Sequence, residues 1–390
     1  MLKFSKLLYQ HGANKETFAN AIRPNNDQTE QLKGAIKKIR DHVRPHLAQA
    51  TVAKLGMDRP VTPRFRTQGS WSYDTCIVPA KMPPQEMDWD FGIYLPVTVW
   101  EDNGPPHRMA KAYFDLVEEI LADLCRKERW NLLTGKDTCI RIEIAKWAHI
   151  DLPLYAAPED EFKRIVESVQ RSAVVNTLDS IGLEGWDAIG ELMQRQSWAD
   201  LDTIVMATRK GEWMRSDPQA VANWFKDRIE DHGQQLRRVC RYLKAWRDYH
   251  WISGGPTSVS LMIAAAQGYQ FKAERDDLAL EESARRLSST FLTDIRERGI
   301  DNGAEDFNRL SASDRVTASH QFAQLADEIA RARNASLNER GHVITQLRGK
   351  LGMRIPYALD AIELESSADV VRNTPPDRVV APAVPSTKAG

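Results

Sequence analysis

A carboxylate in the middle of a β-strand must face something that stabilises its charge, because strands favour β-branched and aromatic residues. Residues 87–97, MDWDFGIYLPV, carry two carboxylates, Asp88 and Asp90, in a run whose alternation predicts a strand. Side chains alternate across a strand, so Asp88 and Asp90 share one face while Trp89, Phe91 and Ile93 take the other. Their Cα atoms then lie about 6.5 Å apart. From that separation two carboxylates can converge on a pair of divalent ions about 3.5–4 Å apart. A second strand-like run, AHIDLPLYAA (148–157), puts Asp151 on one face with His149, and Ile150, Leu152 and Leu154 on the other. Three carboxylates on neighbouring strands make a hard-oxygen site suited to two Mg²⁺ or Mn²⁺ ions. A lone DxD also suits a solvated strand edge, and spacing alone leaves both readings open.

The rest of the chain sets the frame for these strands. Residues 28–57 carry helical periodicity, with an interruption expected near Pro45. A strand-rich stretch over about 60–155 follows, with one helix inside it at 106–128. From about 215 the pattern is helical: a helix pair over 218–251, further helices to about 298, and one more over 315–351. The predicted architecture is α+β, a mixed sheet domain over 1–212 that includes the long early helix, then a helical domain over 213–365. Residues 366–390, rich in Pro, Ser and small residues, are expected to be a disordered tail ending in Gly390.

At 390 residues the chain has room for two packed domains, and 42% hydrophobic content supplies the cores. A formal net charge of −1 argues against a sequence-blind grip on nucleic acid, although a local basic cleft remains compatible with it. No apolar run approaches the roughly 20 residues that cross a bilayer. The N-terminus lacks a signal-peptide pattern, so a cytoplasmic location is expected. Cys76, Cys125, Cys139 and Cys240 show no zinc-ligand spacing and read as small buried residues.

Other motifs bear on the acidic strands. Gly69-Ser70 stands eighteen residues before Asp88, after Gln68. A turn or helix starting there offers N–H groups and a hydroxyl to a phosphate, although Gly-Ser is by itself an ordinary turn. In QLRRVCRYLKAWRDYHW, Leu236, Val239, Cys240, Leu243 and Trp246 form an apolar stripe. Arg237, Arg241 and Lys244 fall on another face, which pattern alone would assign to solvent. Ser258 follows the turn GGPT and opens a helix, as a phosphate contact, a cap, or both. Ser216-Asp217, in WMRSDP, could cap the helix that starts at Pro218.

Taken together, TQGSWSYDT, DWDFGIYLP, HIDLPLYA, EWMRSDP, LRRVCRYLKAW and GGPTSVSLM resemble the polymerase-β-like nucleotidyltransferases. More narrowly, they are similar to the bacterial CD-NTases of the DncV-like branch, which synthesise cyclic oligonucleotides. The resemblance runs from the early helix to about residue 350 and implies an active site in the cleft between the two domains. It implies that Asp88, Asp90 and Asp151 bind the two metal ions and that Gln68, Gly69 and Ser70 hold the donor triphosphate. Tyr73 would stack on a base, Lys244 and Ser258 would reach the β- and γ-phosphates, and Ser216 and Asp217 would line the acceptor-base pocket. Arg141 could contact a guanine. The implied product is a cyclic dinucleotide, foremost 3′3′-cyclic GMP–AMP from ATP and GTP, recognised by a downstream effector in bacterial anti-phage (CBASS) defence. Relatives also imply a ubiquitin-transfer-like E1/E2 partner acting on Gly390. A monomer is the default. A non-cyclising transferase acting on RNA or a small acceptor is the alternative.

Overall fold

The computed structural model describes residues 1–12, 15–98, 107–159, 204–215 and 218–374. Ser216, Asp217 and Gly390, which the sequence pattern singled out, lie outside the described residues.

An eight-stranded mixed sheet is built around β3 (Met87–Val97). On one edge β3 pairs antiparallel with β2 (Arg64–Thr67). On the other it runs parallel to β6 (Ala148–Leu152) and then β7 (Leu154–Pro158), with the register unchanged from Asp90↔Asp151 to Ile93↔Leu154. These two are one strand interrupted at Pro153, whose carbonyl still accepts from the Ile93 amide at 3.0 Å. Past the interruption the outer neighbour changes. β5 (Ile140–Ala145) pairs with β6, and β8 (Val205–Ala207) pairs with β7, both antiparallel. β4 (Asn131–Leu133) and β9 (Trp213–Arg215) close the two ends.

Met87, Trp89, Phe91, Ile93, Leu95 and Val97 bury one face of β3 against the helices Asn26–Leu55 and His107–Glu128. The long helix presents Leu32, Ala35, Ile39, Val43, Leu47, Thr51 and Leu55 at three- and four-residue spacing, the stripe a buried helix face requires. It starts at a capping box between Asn25 and Gln28 and ends at Gly56 in the left-handed conformation. Contrary to the expected break, it runs unbroken through Pro45. That residue sits on the exposed face, so the ring removes one backbone hydrogen bond without disturbing the buried stripe.

The second body is helical, with helices Pro218–His232, Gln234–His250, Ser258–Ala266, Asp276–Thr290, Ala312–Asn334 and Arg340–Leu351 around one core. The single helix expected over 315–351 is two, because Ser336 and Glu339 form a capping box that starts a new turn at Leu337. Expected boundaries shift in three places. Residues 1–22 belong to this body, with Leu2, Phe4, Leu7, Leu8, Phe18 and Ile22 in its core, while residues 213–215 stay in the sheet. The stretch expected to be disordered from 366 is helical over Ser367–Asn373 and docked. β1 (Leu2–Lys3) pairs with β10 (Glu363–Leu364), and Lys3 donates to Asp369 at 2.9 Å. Beneath them the fully buried Arg275 is held by Asp277 and Glu365. Periodicity does not reveal such a clasp, since it joins residues more than 350 apart in sequence. No helix among the described residues is long and apolar enough to cross a membrane.

Pro45→Ala should stabilise the protein by about 1–3 kcal/mol, since it restores a helical hydrogen bond and removes a steric conflict. The restricted unfolded chain of the proline offsets only about 0.4–1 kcal/mol of that. Chemical denaturation of the two proteins measures the difference. A less stable variant would mean that the helix needs its proline.

Candidate active site

The strand register assembles the acidic cluster. Asp90 lies opposite Asp151 and Asp88 opposite His149 in the parallel pair, so all four side chains project from one face. One ligand atom each from Asp88, His149 and Asp151 lies within 4.8 Å of the others. Asp151 is 5% exposed and is gripped from the next strand, where Arg141 is its cross-strand neighbour. Arg141 donates Nε to Oδ1 at 2.6 Å and an Nη to Oδ2 at 2.7 Å, and Lys136 donates to Oδ2 at 2.8 Å. Burial opposes ionisation of Asp151, but these two cations outweigh it and hold the carboxyl below its ordinary range. Arg141, which the resemblance offered as a guanine contact, is engaged with Asp151 in a bidentate pair.

Asp90 is the counterpart. Burial, together with the negative charges of Asp88 and Asp151, pushes its pKa up to about 7. The backbone beneath it is Gly69, at φ +57°, where an added Cβ would stand 2.0 Å from Asp90 Oδ2. Only glycine allows this close approach in this backbone conformation. The helical turn Gly69–Ser72 follows, anchored by the Gln68 amide donating to the Asp90 carbonyl at 2.8 Å. The Gln68 side chain, expected to help hold a triphosphate, is buried and committed elsewhere. Its nitrogen donates to the Tyr94 hydroxyl, and its oxygen accepts from the Tyr155 hydroxyl at 3.3 Å. Trp71 stacks on Trp89 at 4.0 Å and donates its indole N–H to the Asp88 carbonyl at 3.0 Å. Gln68 and Trp71 therefore shape the turn.

Helix Gln234–His250 closes the site from the helical body. Lys244, which pattern alone would give to solvent and the resemblance to the β- and γ-phosphates, is buried and donates to the Thr75 carbonyl at 2.7 Å. Burial above all, with Arg247 and Arg241 adding repulsion, lowers its pKa to about 8. The Thr75 amide in turn donates to the Ser70 carbonyl at 2.8 Å, which links Lys244 to the Gly69–Ser70 turn, and burial pushes the Cys76 thiol up to about 11. All four cysteines are free and buried, as their scatter predicted. Arg241, also buried, pairs with Asp74. Gln85 donates to the carbonyls of Asp248 and Trp251, both at 2.8 Å, so residues 74–85 are fastened to the helical body. Ser258 is the first residue of its helix; Thr257 is the cap, accepting from the Ser260 amide. The Ser258 hydroxyl accepts from Arg247 at 3.3 Å. Tyr73 packs edge-to-face on Phe225, with centroids 5.7 Å apart, and burial raises its pKa above the ordinary range, aided by Asp90 and Asp88. One side of that ring is thus already occupied before any base arrives.

The donor set fits divalent cations. The buried Asp88 Oδ1 has no hydrogen-bond partner, and the crowding that raises Asp90 is relieved by positive charge. His149, Glu86 and Lys136 were not among the site residues expected from sequence. The signal for His149 was present, in its sharing a face with Asp151. Lys136 lies in a loop whose path periodicity does not fix.

Gly69→Ala should destabilise the fold by about 1–2 kcal/mol through the left-handed backbone alone, and displace Asp90 besides. Thermal denaturation together with Mn²⁺ titration tests both parts. A variant with unchanged stability and metal affinity would show that the turn can re-form without its glycine.

Comparison with known proteins bears on this arrangement. Residues 63–155 match the family described as cyclic GMP-AMP synthase DncV-like, nucleotidyltransferase domain, and residues 233–363 match cyclic GMP-AMP synthase, C-terminal domain. The chain is 40% identical over 210 residues to a cyclic GMP-AMP synthase of Vibrio cholerae, covering 52% of this chain and 47% of that protein. It is 34% identical over 248 residues to one from Escherichia coli, covering 62% and 54%. The matched stretches thus span about half the length of these curated relatives. A crystal structure of Vibrio cholerae DncV in complex with the linear intermediate 5′ pppA(3′,5′)pG superposes with a TM-score of 0.74 at 25% identity, covering 94% of this chain and 99% of that one. With both domains matched and the fold shared almost throughout, the chain belongs to the DncV-like nucleotidyltransferases.

Proposed function

We propose that this protein is a cyclic dinucleotide synthase that joins ATP and GTP into 3′3′-cyclic GMP–AMP. The observation that carries the reading is the register that sets Asp88, Asp90 and Asp151 on one face beside the Gly69–Ser70 turn. Its support in kind is the likeness to synthases named for this product. Asp88, Asp90 and Asp151 would hold Mg²⁺ or Mn²⁺, which when bound neutralises triphosphate charge and acidifies a ribose hydroxyl. Ser70 offers its hydroxyl to the donor triphosphate. Lys244, joined through Thr75 to the same turn, supplies positive charge to the departing pyrophosphate. Arg141 and Lys136 keep Asp151 ionised, so it orients the attacking group. Asp151 is also the candidate acceptor for the 3′-hydroxyl proton. A first transfer gives a linear dinucleotide, and a second, after it turns over in the same cleft, closes the ring. A role for the product as a second messenger to an effector in anti-phage defence follows from the family resemblance.

The reading is tested by incubating the protein with divalent cation and all four NTPs, one α-phosphate labelled at a time, followed by phosphatase. Phosphatase-resistant label from ATP and GTP, absent in Asp88→Ala/Asp90→Ala, is the expected result. Label that stays phosphatase-sensitive or appears on an acceptor would favour a non-cyclising transferase instead.

A second outcome concerns pH. Binding of a triphosphate anion favours the charged form of Lys244, and that form is lost as pH rises through about 8. Affinity for a non-hydrolysable NTP should therefore fall above pH 8, by up to about tenfold per unit, and the slope should vanish in Lys244→Met. Calorimetry between pH 7 and 9.5 reads it. A parent protein with flat affinity over that range would remove Lys244 from the phosphate site.

A further inference from the structure

We infer that His149 is itself a ligand of the divalent-ion site, held in place by Glu86, so that one ion is bound by a mixed nitrogen–oxygen set. The inference rests on the proposed role of Asp88, Asp90 and Asp151 in holding divalent ions.

The ring is 6% exposed, and the backbone decides where it points: His149 is directly opposite Asp88 in the parallel pair. Its Nδ1 lies 2.6 Å from Glu86 Oε2. That contact places an N–H on Nδ1 and directs Nε2 into the cluster. Nε2 is buried without a hydrogen-bond partner, and so is the oxygen it faces, Asp88 Oδ1. The two atoms are 3.1 Å apart, out of line for a hydrogen bond. A proton on Nε2 makes this contact an ion pair, and a divalent ion in place of that proton would be shared by both atoms. Adjacent ligands of an octahedral ion with bonds of about 2.1 Å stand about 3 Å apart, which matches the observed separation. An Asp151 oxygen within 4.8 Å of both supplies a third donor. A ligating histidine whose other nitrogen donates to a carboxylate is the usual way such a ring is oriented, and Glu86 is that carboxylate.

The chemical consequence is selectivity. Imidazole suits transition ions better than it suits Mg²⁺, so the site should prefer Mn²⁺ more strongly than an all-carboxylate site would. His149 then tunes which ion the protein takes up, and the aspartates set how many charges that ion meets.

The test uses the metal-free full chain and Mn²⁺ alone. Electron paramagnetic resonance gives the affinity, and electron spin echo modulation, compared between ordinary protein and protein labelled with ¹⁵N-histidine, reports histidine nitrogen bound to Mn²⁺. Histidine coupling is expected in the parent and absent in His149→Gln, which should also lose part of its preference for Mn²⁺ over Mg²⁺. Glu86→Gln should keep the coupling, with a changed constant, and weaken binding by about 10- to 100-fold. If His149→Gln fails to fold, that changed constant in Glu86→Gln still ties the signal to this ring. Mn²⁺ bound without histidine coupling, or coupling that persists in His149→Gln, would overturn the inference and leave the aspartate site standing. No Mn²⁺ binding by the parent at all would overturn both.

Discussion

The parallel register of β3 with the strand that runs through β6 and β7 is the constraint on which the site depends. Because Asp90 faces Asp151 and Asp88 faces His149, four titratable side chains emerge on one face within a few ångströms. A slip of either strand by one residue would turn its pair of these side chains into the apolar layer beneath, where Trp89, Phe91 and Ile150 now sit. The same slip would set carboxylates against the helices Asn26–Leu55 and His107–Glu128, so burial of the apolar face enforces the geometry of the polar one. Pro153 leaves this register intact while the outer neighbour changes from β5 to β8. β5 supplies Arg141 directly beside Asp151, and past the proline the same face fills with Tyr94 and Tyr155, which hold Gln68 and the turn above.

The second constraint is how the two bodies are joined. The segment between Tyr73 and Met87 belongs to the sheet by sequence, yet its backbone carbonyls and polar groups are claimed by the helical body. Lys244 holds Thr75, Arg241 holds Asp74, Arg354 donates to the Val78 carbonyl at 2.6 Å, and Gln85 reaches across to Asp248 and Trp251. Each is a buried or half-buried cation or amide on backbone, an interaction stronger than an exposed ion pair because solvent does not compete for it. The N-terminal residues reinforce the same body from the far side, through β1, Lys3 and the Arg275 cluster.

Much of this was legible from the chain alone, and the exceptions share causes. Alternation in MDWDFGIYLPV and AHIDLPLYAA is a period-two signal that burial of one face makes strong, so the three aspartates and their common face were readable. Long amphipathic helices were readable for the same reason. Pattern alone would give Lys244 and Arg241 to water, because a charged stripe normally faces solvent, whereas here it faces a second body that periodicity does not represent. Helix Ser367–Asn373 was missed because it is short and held by a tertiary contact, Lys3 to Asp369, more than by propensity. The resemblance implies a triphosphate contact for Gln68, and only the fold shows two tyrosine hydroxyls engaging its amide.

The distribution of charge around the three aspartates follows from these contacts and carries a chemical meaning of its own. Asp151 has two cations within 2.8 Å, Asp88 faces an imidazole, and Asp90 has no cation at hydrogen-bond distance among the described residues. Three carboxylates of one type are thereby made unlike each other, one firmly ionised and one near neutrality. Environment separates the acidities of chemically identical groups. Arg141 and Lys136 also compete with any metal ion for the oxygens of Asp151. An ion that arrives with a triphosphate brings compensating negative charge, to which those two cations can turn. An ion that arrives alone must displace them.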